Sequence, residues 1–131
     1  MGVFEGLKPE AVWGYFEEIC QVPRPSKKES KIIAYLLDWA KKHNLEAKRD
    51  DAGNVLIKKP ATKGKENAPT VILQAHMDMV CEKNADTVHD FDKDPIKPYI
   101  DGEWVKAKGT TLGADDGIGI AAALAVLTDE N

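Results

Sequence analysis

The sequence has few of the features that mark several large classes of protein. No apolar run approaches the ~18 residues of a membrane span, and no basic stretch followed by an apolar one opens the chain, so neither a membrane segment nor a signal peptide is expected. Only two cysteines occur, Cys20 and Cys81, and their spacing fits no metal motif. They are expected to be reduced thiols of a cytoplasmic protein. A net charge of −4 argues against nucleic acid or an anionic membrane as a partner.

The chain contains enough apolar residues for one folded domain, since 43% of its 131 residues are hydrophobic. In residues 8–22 the apolar positions recur at intervals of three and four, which predicts an amphipathic helix ended by Pro23. The pattern from Ser26 to Glu29 is that of a capping box and predicts a second helix, with Asn44 as its C-terminal cap.

The rest of the chain alternates between strand and helix signals. Residues 45–59 predict two strands joined by a turn at 51–54, and residues 96–107 predict a hairpin with an Asp101-Gly102 turn. Residues 71–80 predict a buried strand that begins with the apolar stretch 71–74, and residues 118–127 predict a helix that is apolar nearly all round and therefore buried on all sides. The predicted class is α/β, with a mixed β-sheet flanked by helices. A helix that needs cover on every side leads us to expect an N-terminal part of something larger.

The first candidate site lies at the carboxyl end of the strand predicted at residues 71–80. His76 and Asp78 are two residues apart, so on a strand both point to the same face. Neutral imidazole is a good zinc ligand, and a nearby carboxylate orients the ring and raises its basicity. The alternative is a hydrogen-bonded core histidine beside an aspartate in a turn.

The second candidate site is the stretch GTTLGADDG, in which Asp115 and Asp116 lie between Gly113 and Gly117. Adjacent carboxylates repel one another, so keeping both ionised needs a cation or strong donors nearby. An N-terminal helix cap is the alternative, and it accounts for one aspartate better than for two. A phosphate loop is excluded, because neither G-x-G-x-x-G nor G-K-[ST] is present and the two acids would repel phosphate.

These motifs together resemble the bacterial aminoacyl-histidine (Xaa-His) dipeptidases. That group belongs to the large dizinc metallopeptidase family, which also holds aminoacylases, tripeptidases and carboxypeptidase G. The likeness extends over nearly the whole chain, and the stretches that carry it are HMDMV, GTTLGADDGIGIAAALAVL, ICQVPRPSKKE, DDAGNVLIKKPAT, VHDFDKDPI and DGEWVKAKGTTLGAD.

The resemblance implies a role for each candidate residue. His76 matches a ligand of one metal ion, Asp115 matches the carboxylate that bridges two ions, and Asp78 matches the catalytic acid that orients His76. Asp116 is expected to be non-ligating, after a cis peptide bond. The implied cofactors are two divalent ions, zinc first, with cobalt or manganese as alternatives. The implied activity is hydrolysis of dipeptides, preferentially Xaa-His, by a metal-bridged water.

The resemblance also implies that residues 1–131 form only the N-terminal portion of the catalytic domain. The family's glutamate base, its remaining ligands and its lid or dimerisation domain have no counterpart here. This chain alone is therefore expected to be inactive, and a homodimer is expected only of the full-length form. Two alternatives stay open: a related metallopeptidase or N-acyl-amino-acid amidohydrolase, and a non-enzymatic α/β interaction module.

Overall fold

The computed structural model describes residues 2–131, and the α/β class predicted from the sequence is confirmed. Helices flank two β-hairpins along the chain. In order, the elements are α1 (Glu10–Cys20), α2 (Ser30–Lys42), β1 (Glu46–Arg49), β2 (Val55–Lys58), β3 (Pro98–Asp101), β4 (Trp104–Ala107) and α3 (Ala114–Thr128).

The core lies where α1 packs against α3, with α2 contributing one face. In α1 and α2 the apolar residues recur at intervals of three and four, so one stripe of each helix points inward, whereas α3 is apolar on most sides. Burial of these side chains is the main force that holds the helices together. The buried residues of the helices are Phe16, Ile19 and Cys20 from α1, Ile32, Ile33, Leu36, Trp39 and Ala40 from α2, and Gly117, Ile120, Ala121 and Leu124 from α3.

The ends of α2 confirm one prediction and contradict another. Asn44 has φ +57°, and the N–H of Leu45 donates to the Ala40 carbonyl at 2.9 Å, so the helix ends in the predicted left-handed cap. The capping box is wrong, because no side chain caps the start of α2. Glu29 instead accepts from the backbone N–H of Lys27, and the Ser26 hydroxyl donates to Asp78, a partner that local spacing cannot reveal.

The strands form two separate antiparallel sheets and not one mixed sheet. β1 pairs with β2 from Glu46 opposite Lys58 to Arg49 opposite Val55, around the predicted turn. β3 pairs with β4, and their turn falls at Gly102 and Glu103, one residue later than predicted, because Asp101 still pairs with Trp104. Within residues 2–131 the parallel pairing is confined to one bridge, between Pro25 and Met79.

The buried strand predicted at residues 71–80 is wrong. This segment joins no strand ladder among the described residues, and Val71 and Ile72 are 77% and 83% exposed. The sequence pattern shows correctly that the segment is apolar, but it does not show which residues would pack against it. Each described strand pairs only with the other strand of its own hairpin.

Helix α3 is apolar but buried on one side only, which contradicts the prediction of cover all round. Ile120 and Leu124 face α1, while Ala122 and Val126 on other faces are exposed. The helix also begins at Ala114, earlier than predicted. No helix of residues 2–131 is both long and apolar enough to cross a membrane.

Both cysteines are free thiols, as expected. Cys20 is buried at the end of α1, and burial raises the pKa of its thiol to about 12. Cys81 is half-buried, and burial also raises its pKa.

Candidate functional site

The segment that carries His76 is anchored just beyond the histidine. Met79 is 3% exposed, and its backbone N–H donates to the Arg24 carbonyl at 3.0 Å. The Ser26 hydroxyl donates to Asp78 Oδ2 at 2.5 Å. The connection between α1 and α2 therefore holds the end of this segment, without a sheet.

His76 lies between two carboxylates. Its Nδ1 is 3.1 Å from Asp78 Oδ1 and 3.1 Å from the Asp78 backbone carbonyl. Its Nε2 is 2.9 Å from Asp115 Oδ1, across a sequence separation of 39 residues. The structure thus brings together His76, Asp78 and Asp115, the three residues to which the resemblance assigns metal-binding or catalytic roles.

Asp115 reaches this position through an irregular start to α3. Gly113 has φ +78°, a backbone conformation that residues other than glycine rarely adopt. Asp115 and Asp116 have non-helical torsions. The peptide bond between them is cis, as the resemblance implies. The Asp115 side chain is 97% exposed. The Asp116 carboxylate lies over Gly119, away from His76, at a point where any Cβ on residue 119 would clash with it.

The two carboxylates favour the charged form of the imidazole. The hydrogen bond to Asp115 raises the pKa of His76 above its ordinary value, and the backbone bond and charge of Asp78 add to it. The pKa of Asp78 is lowered, chiefly by the Ser26 hydroxyl and then by the charge of His76. In the absence of a cation, the positive charge of a protonated His76 therefore stabilises the two neighbouring carboxylates, Asp78 and Asp115.

The donor chemistry suits a borderline metal ion, because a neutral imidazole nitrogen and a carboxylate are common zinc ligands. Asp78 is hydrogen-bonded to Nδ1 of His76, and Nε2 is directed at Asp115. A carboxylate bonded to one ring nitrogen in this way commonly orients a metal-binding histidine. Among residues 2–131, however, no group of three or more His, Cys, Asp or Glu side chains is placed to hold a metal ion. His76 and Asp115 could therefore form part of the ligand set of a metal ion, but the described residues do not form a complete set.

A wide cleft opens beside this cluster. His76 and Asp78 line one end of it, and exposed apolar side chains such as Ile72 and Leu56 line the remainder. The cluster is therefore accessible from solvent along the extended segment that precedes His76.

Two residues around the cluster were missed by the sequence analysis. Ser26 was predicted to cap α2, and Arg24 was read only as part of the stretch PRP that ends the first helix. Arg24 is in fact buried and donates to backbone carbonyls on both site segments. The sequence shows only that Arg24 stands between two prolines next to the end of a helix. That position does not by itself indicate that the side chain is buried.

The chain is similar in sequence to known proteins. The chain is 59% identical to the cytosol non-specific dipeptidase of Escherichia coli K12 over all of its 131 residues, which is 27% of that protein. It is 32% identical to the uncharacterised protein YqjE of Bacillus subtilis 168, with 88% of this chain and 31% of that protein covered. No model of a protein family matches the chain.

Two solved structures share the fold. The aminoacylhistidine dipeptidase of Vibrio alginolyticus superposes with a TM-score of 0.95 at 54% identity, covering 100% of this chain and 26% of that one. A tripeptidase of Staphylococcus aureus superposes with a TM-score of 0.71 at 25% identity, covering 89% of this chain and 31% of that one.

The fold is thus one found within solved peptidase structures. The resemblance to the aminoacyl-histidine dipeptidases is confirmed over the whole chain, and the chain spans about a quarter of the length of the first relatives it matches.

Proposed function

We propose that residues 1–131 are the N-terminal portion of the catalytic domain of a metal-dependent dipeptidase that prefers Xaa-His substrates. One observation carries the proposal. His76 Nε2 lies 2.9 Å from Asp115 Oδ1, although the two residues are 39 positions apart. The 59% identity to a dipeptidase supports it.

His76 and Asp115 would hold the metal, with His76 on one ion and Asp115 between two. The ions would be zinc, with cobalt or manganese as alternatives suited to the same ligands. When bound, divalent ions supply Lewis acidity for peptide hydrolysis.

The chain's own residues prepare the imidazole for this role. With a metal bound, Asp78 would accept a hydrogen bond from His76 Nδ1–H, which would leave the Nε2 lone pair for the ion on the side of Asp115. Ser26 in turn fixes the Asp78 carboxylate through its second oxygen. Asp78 would therefore act as the hydrogen-bond acceptor that orients the imidazole at Nδ1.

The hydrolytic activity is assigned to the longer polypeptide and not to residues 1–131 alone. Zinc sites commonly use four ligands, and the cluster supplies two. A carboxylate base placed to take a proton from water is also absent from the cluster as the described residues form it. The longer protein is proposed to be cytoplasmic and a homodimer, with a dipeptide as its small-molecule partner.

A related metallopeptidase is the second candidate, because a tripeptidase superposes with a TM-score of 0.71. No residue of the cluster distinguishes a histidine-containing dipeptide from another substrate. Comparing hydrolysis of β-Ala-His, a tripeptide and an N-acetyl amino acid by the longer polypeptide separates these specificities. Faster hydrolysis of β-Ala-His is the expected outcome, and a preference for either other substrate would reassign the specificity.

The metal assignment is tested on the longer polypeptide, which is proposed to hold the complete ligand set, with Asp115→Asn and the matched control Asp116→Asn, using calorimetric titration of the metal-free protein with Zn²⁺. Loss of a ligand should weaken Zn²⁺ binding by at least about tenfold, since even the groups that orient ligands are worth about 10–100-fold. Asp116→Asn should bind like the unmodified chain. Equal binding by all three chains would refute the role of Asp115.

A further inference from the structure

Arg24 is the one charged side chain reported as buried among residues 2–131, and it is 1% exposed. It follows α1, in the connection that also contains Ser26. No carboxylate of the described residues lies within ion-pair distance of its guanidinium, although an isolated buried charge is strongly disfavoured. The compensation has to come from hydrogen bonds.

Those hydrogen bonds go to backbone carbonyls on two different segments. Nη1 donates to the Met77 carbonyl at 3.2 Å and, at the longer distance of 3.5 Å, to that of Asp78. Nη2 donates to the Gly113 carbonyl at 2.7 Å. Met77 directly follows His76, and Gly113 lies two residues before Asp115. One planar guanidinium therefore joins the two backbones that carry the candidate ligands.

The glycines beside Asp115 and Asp116 fit closely around this guanidinium. A Cβ at Gly113 would lie 2.6 Å from Arg24 Nη2, and a Cβ at Gly117 would lie 2.7 Å from the same atom. Both distances are too short for a carbon and a nitrogen, so any side chain there would displace Arg24. The position of Arg24 therefore favours glycine at both places, in addition to the positive φ of Gly113.

We propose that Arg24 is a positioning residue that sets the separation of His76 and Asp115. It does so by holding the Met77 and Gly113 carbonyls on the two sides of one rigid fork, which a lysine cannot reproduce because its ammonium is a single flexible point charge. Arg24 touches neither the imidazole nor the Asp115 carboxylate. Its consequence for hydrolysis rests on the proposed function, whereas its effect on the geometry does not.

A purely structural role for Arg24 makes a different prediction. A core residue that only fills space would change the stability of the chain when replaced, but would leave the His76 ring as it is in the molecules that remain folded. A positioning residue would alter the ring environment of His76 even where the fold survives.

The experiment compares Arg24→Lys with Arg49→Met, which alters the exposed arginine of β1. Lysine keeps the positive charge, so any change at His76 is caused by loss of the two-sided hydrogen bonding of the guanidinium. The first measurement is the ¹⁵N spectrum of the His76 ring without metal, and the second is Zn²⁺ affinity. In Arg24→Lys we expect the ring nitrogens to lose the shift pattern of a fixed tautomer and Zn²⁺ binding to weaken by about tenfold or more. Arg49→Met should change neither.

A second pair of variants tests the same contact from the other side. Gly117→Ala places a Cβ against Nη2 and should reproduce the His76 shifts, while Gly14→Ala, which meets nothing within 4 Å, should not. These variants decide the question if Arg24→Lys does not fold. An unchanged His76 spectrum in every folded variant would overturn the proposal. The Zn²⁺ affinities are compared in the longer polypeptide, which is proposed to hold the remaining ligands. If that protein binds no Zn²⁺, the metal proposal fails, and the ring spectra of residues 1–131 still decide the role of Arg24.

Discussion

The two ends of residues 70–79 have opposite environments within one short stretch. At the first end, Val71, Ile72 and Leu73 are apolar, extended and exposed, and they join no strand ladder in the described chain. At the second end, Met79 is buried and bonded to Arg24, and Asp78 is bonded to Ser26. The more polar end is the one that is hydrogen-bonded to the rest of the chain.

This difference shows that the position of the site does not depend on a completed sheet. Side-chain and backbone bonds from the connection between α1 and α2 hold His76 within reach of Asp115. The apolar residues that a sheet would bury contribute nothing to that arrangement in residues 2–131. Three experiments test this contrast.

Hydrogen exchange should show the largest contrast. The amide of Met79 donates to the Arg24 carbonyl inside the core, while the amides of residues 71–73 have no reported partner in the described chain. Opening free energies range from near zero up to the global stability, and each ~1.4 kcal/mol is about tenfold. We expect exchange at Met79 to be roughly a thousandfold slower or more, as measured by NMR. Similar rates at both ends would mean that the anchored end is open as well.

Truncating one side chain at each end of residues 70–79 should lower the free energy of unfolding by different amounts. Met79→Ala removes a side chain that is 3% exposed and should cost about 2–5 kcal/mol, the usual range for a buried methionine or leucine. Leu73→Ala removes one that is 52% exposed and should cost less than about 1 kcal/mol. Urea denaturation measures both. A larger loss for Leu73→Ala would show that the segment is buried in solution.

The acid dependence of stability should show the smallest contrast. Because the Ser26 hydroxyl lowers the pKa of Asp78, this bond stabilises the fold above pH 3.8, and its contribution is lost as the pH falls through the lowered pKa. Ser26→Ala should raise the pKa of Asp78, as followed by ¹³C NMR. It should also destabilise the chain at neutral pH by more than it does in acid.

The matched control for that titration is Ser30→Ala, at the start of α2, which has no reported side-chain hydrogen bond. It should leave the pKa of Asp78 unchanged. A shift in both variants would attribute the effect to α2 as a whole, and no shift in Ser26→Ala would contradict the role of Ser26.

Local signals in the sequence were enough to predict the helices and both hairpins. The spacing of three and four in α1, the cap at Asn44 and the glycine turn at Gly102 each depend on residues that are close in the chain. His76 and Asp78 do contact one another, but the strand from which their common direction was predicted is not formed by the described residues. Their proximity to Asp115 came from the resemblance and not from periodicity.

The errors have one physical cause, which is that burial depends on distant partners. Residues 71–74 are apolar enough for a core strand, and α3 is apolar enough for a central helix, yet neither is covered on all sides. Ser26 fits a capping box but bonds to Asp78, 52 residues away. Arg24 carries a charge and is nonetheless among the least exposed residues, because backbone carbonyls surround it.

The unequal burial of the two cysteines gives the chain a graded chemical reactivity. Thiolates are the reacting form, and the Cys20 thiol is both enclosed and held protonated, with a pKa of about 12. An alkylating reagent meets Cys81 first, two residues beyond the anchored Met79. Modification of Cys20 requires α1 to separate from the core, so the order in which the two thiols are labelled records unfolding of the helices separately from events beside the site.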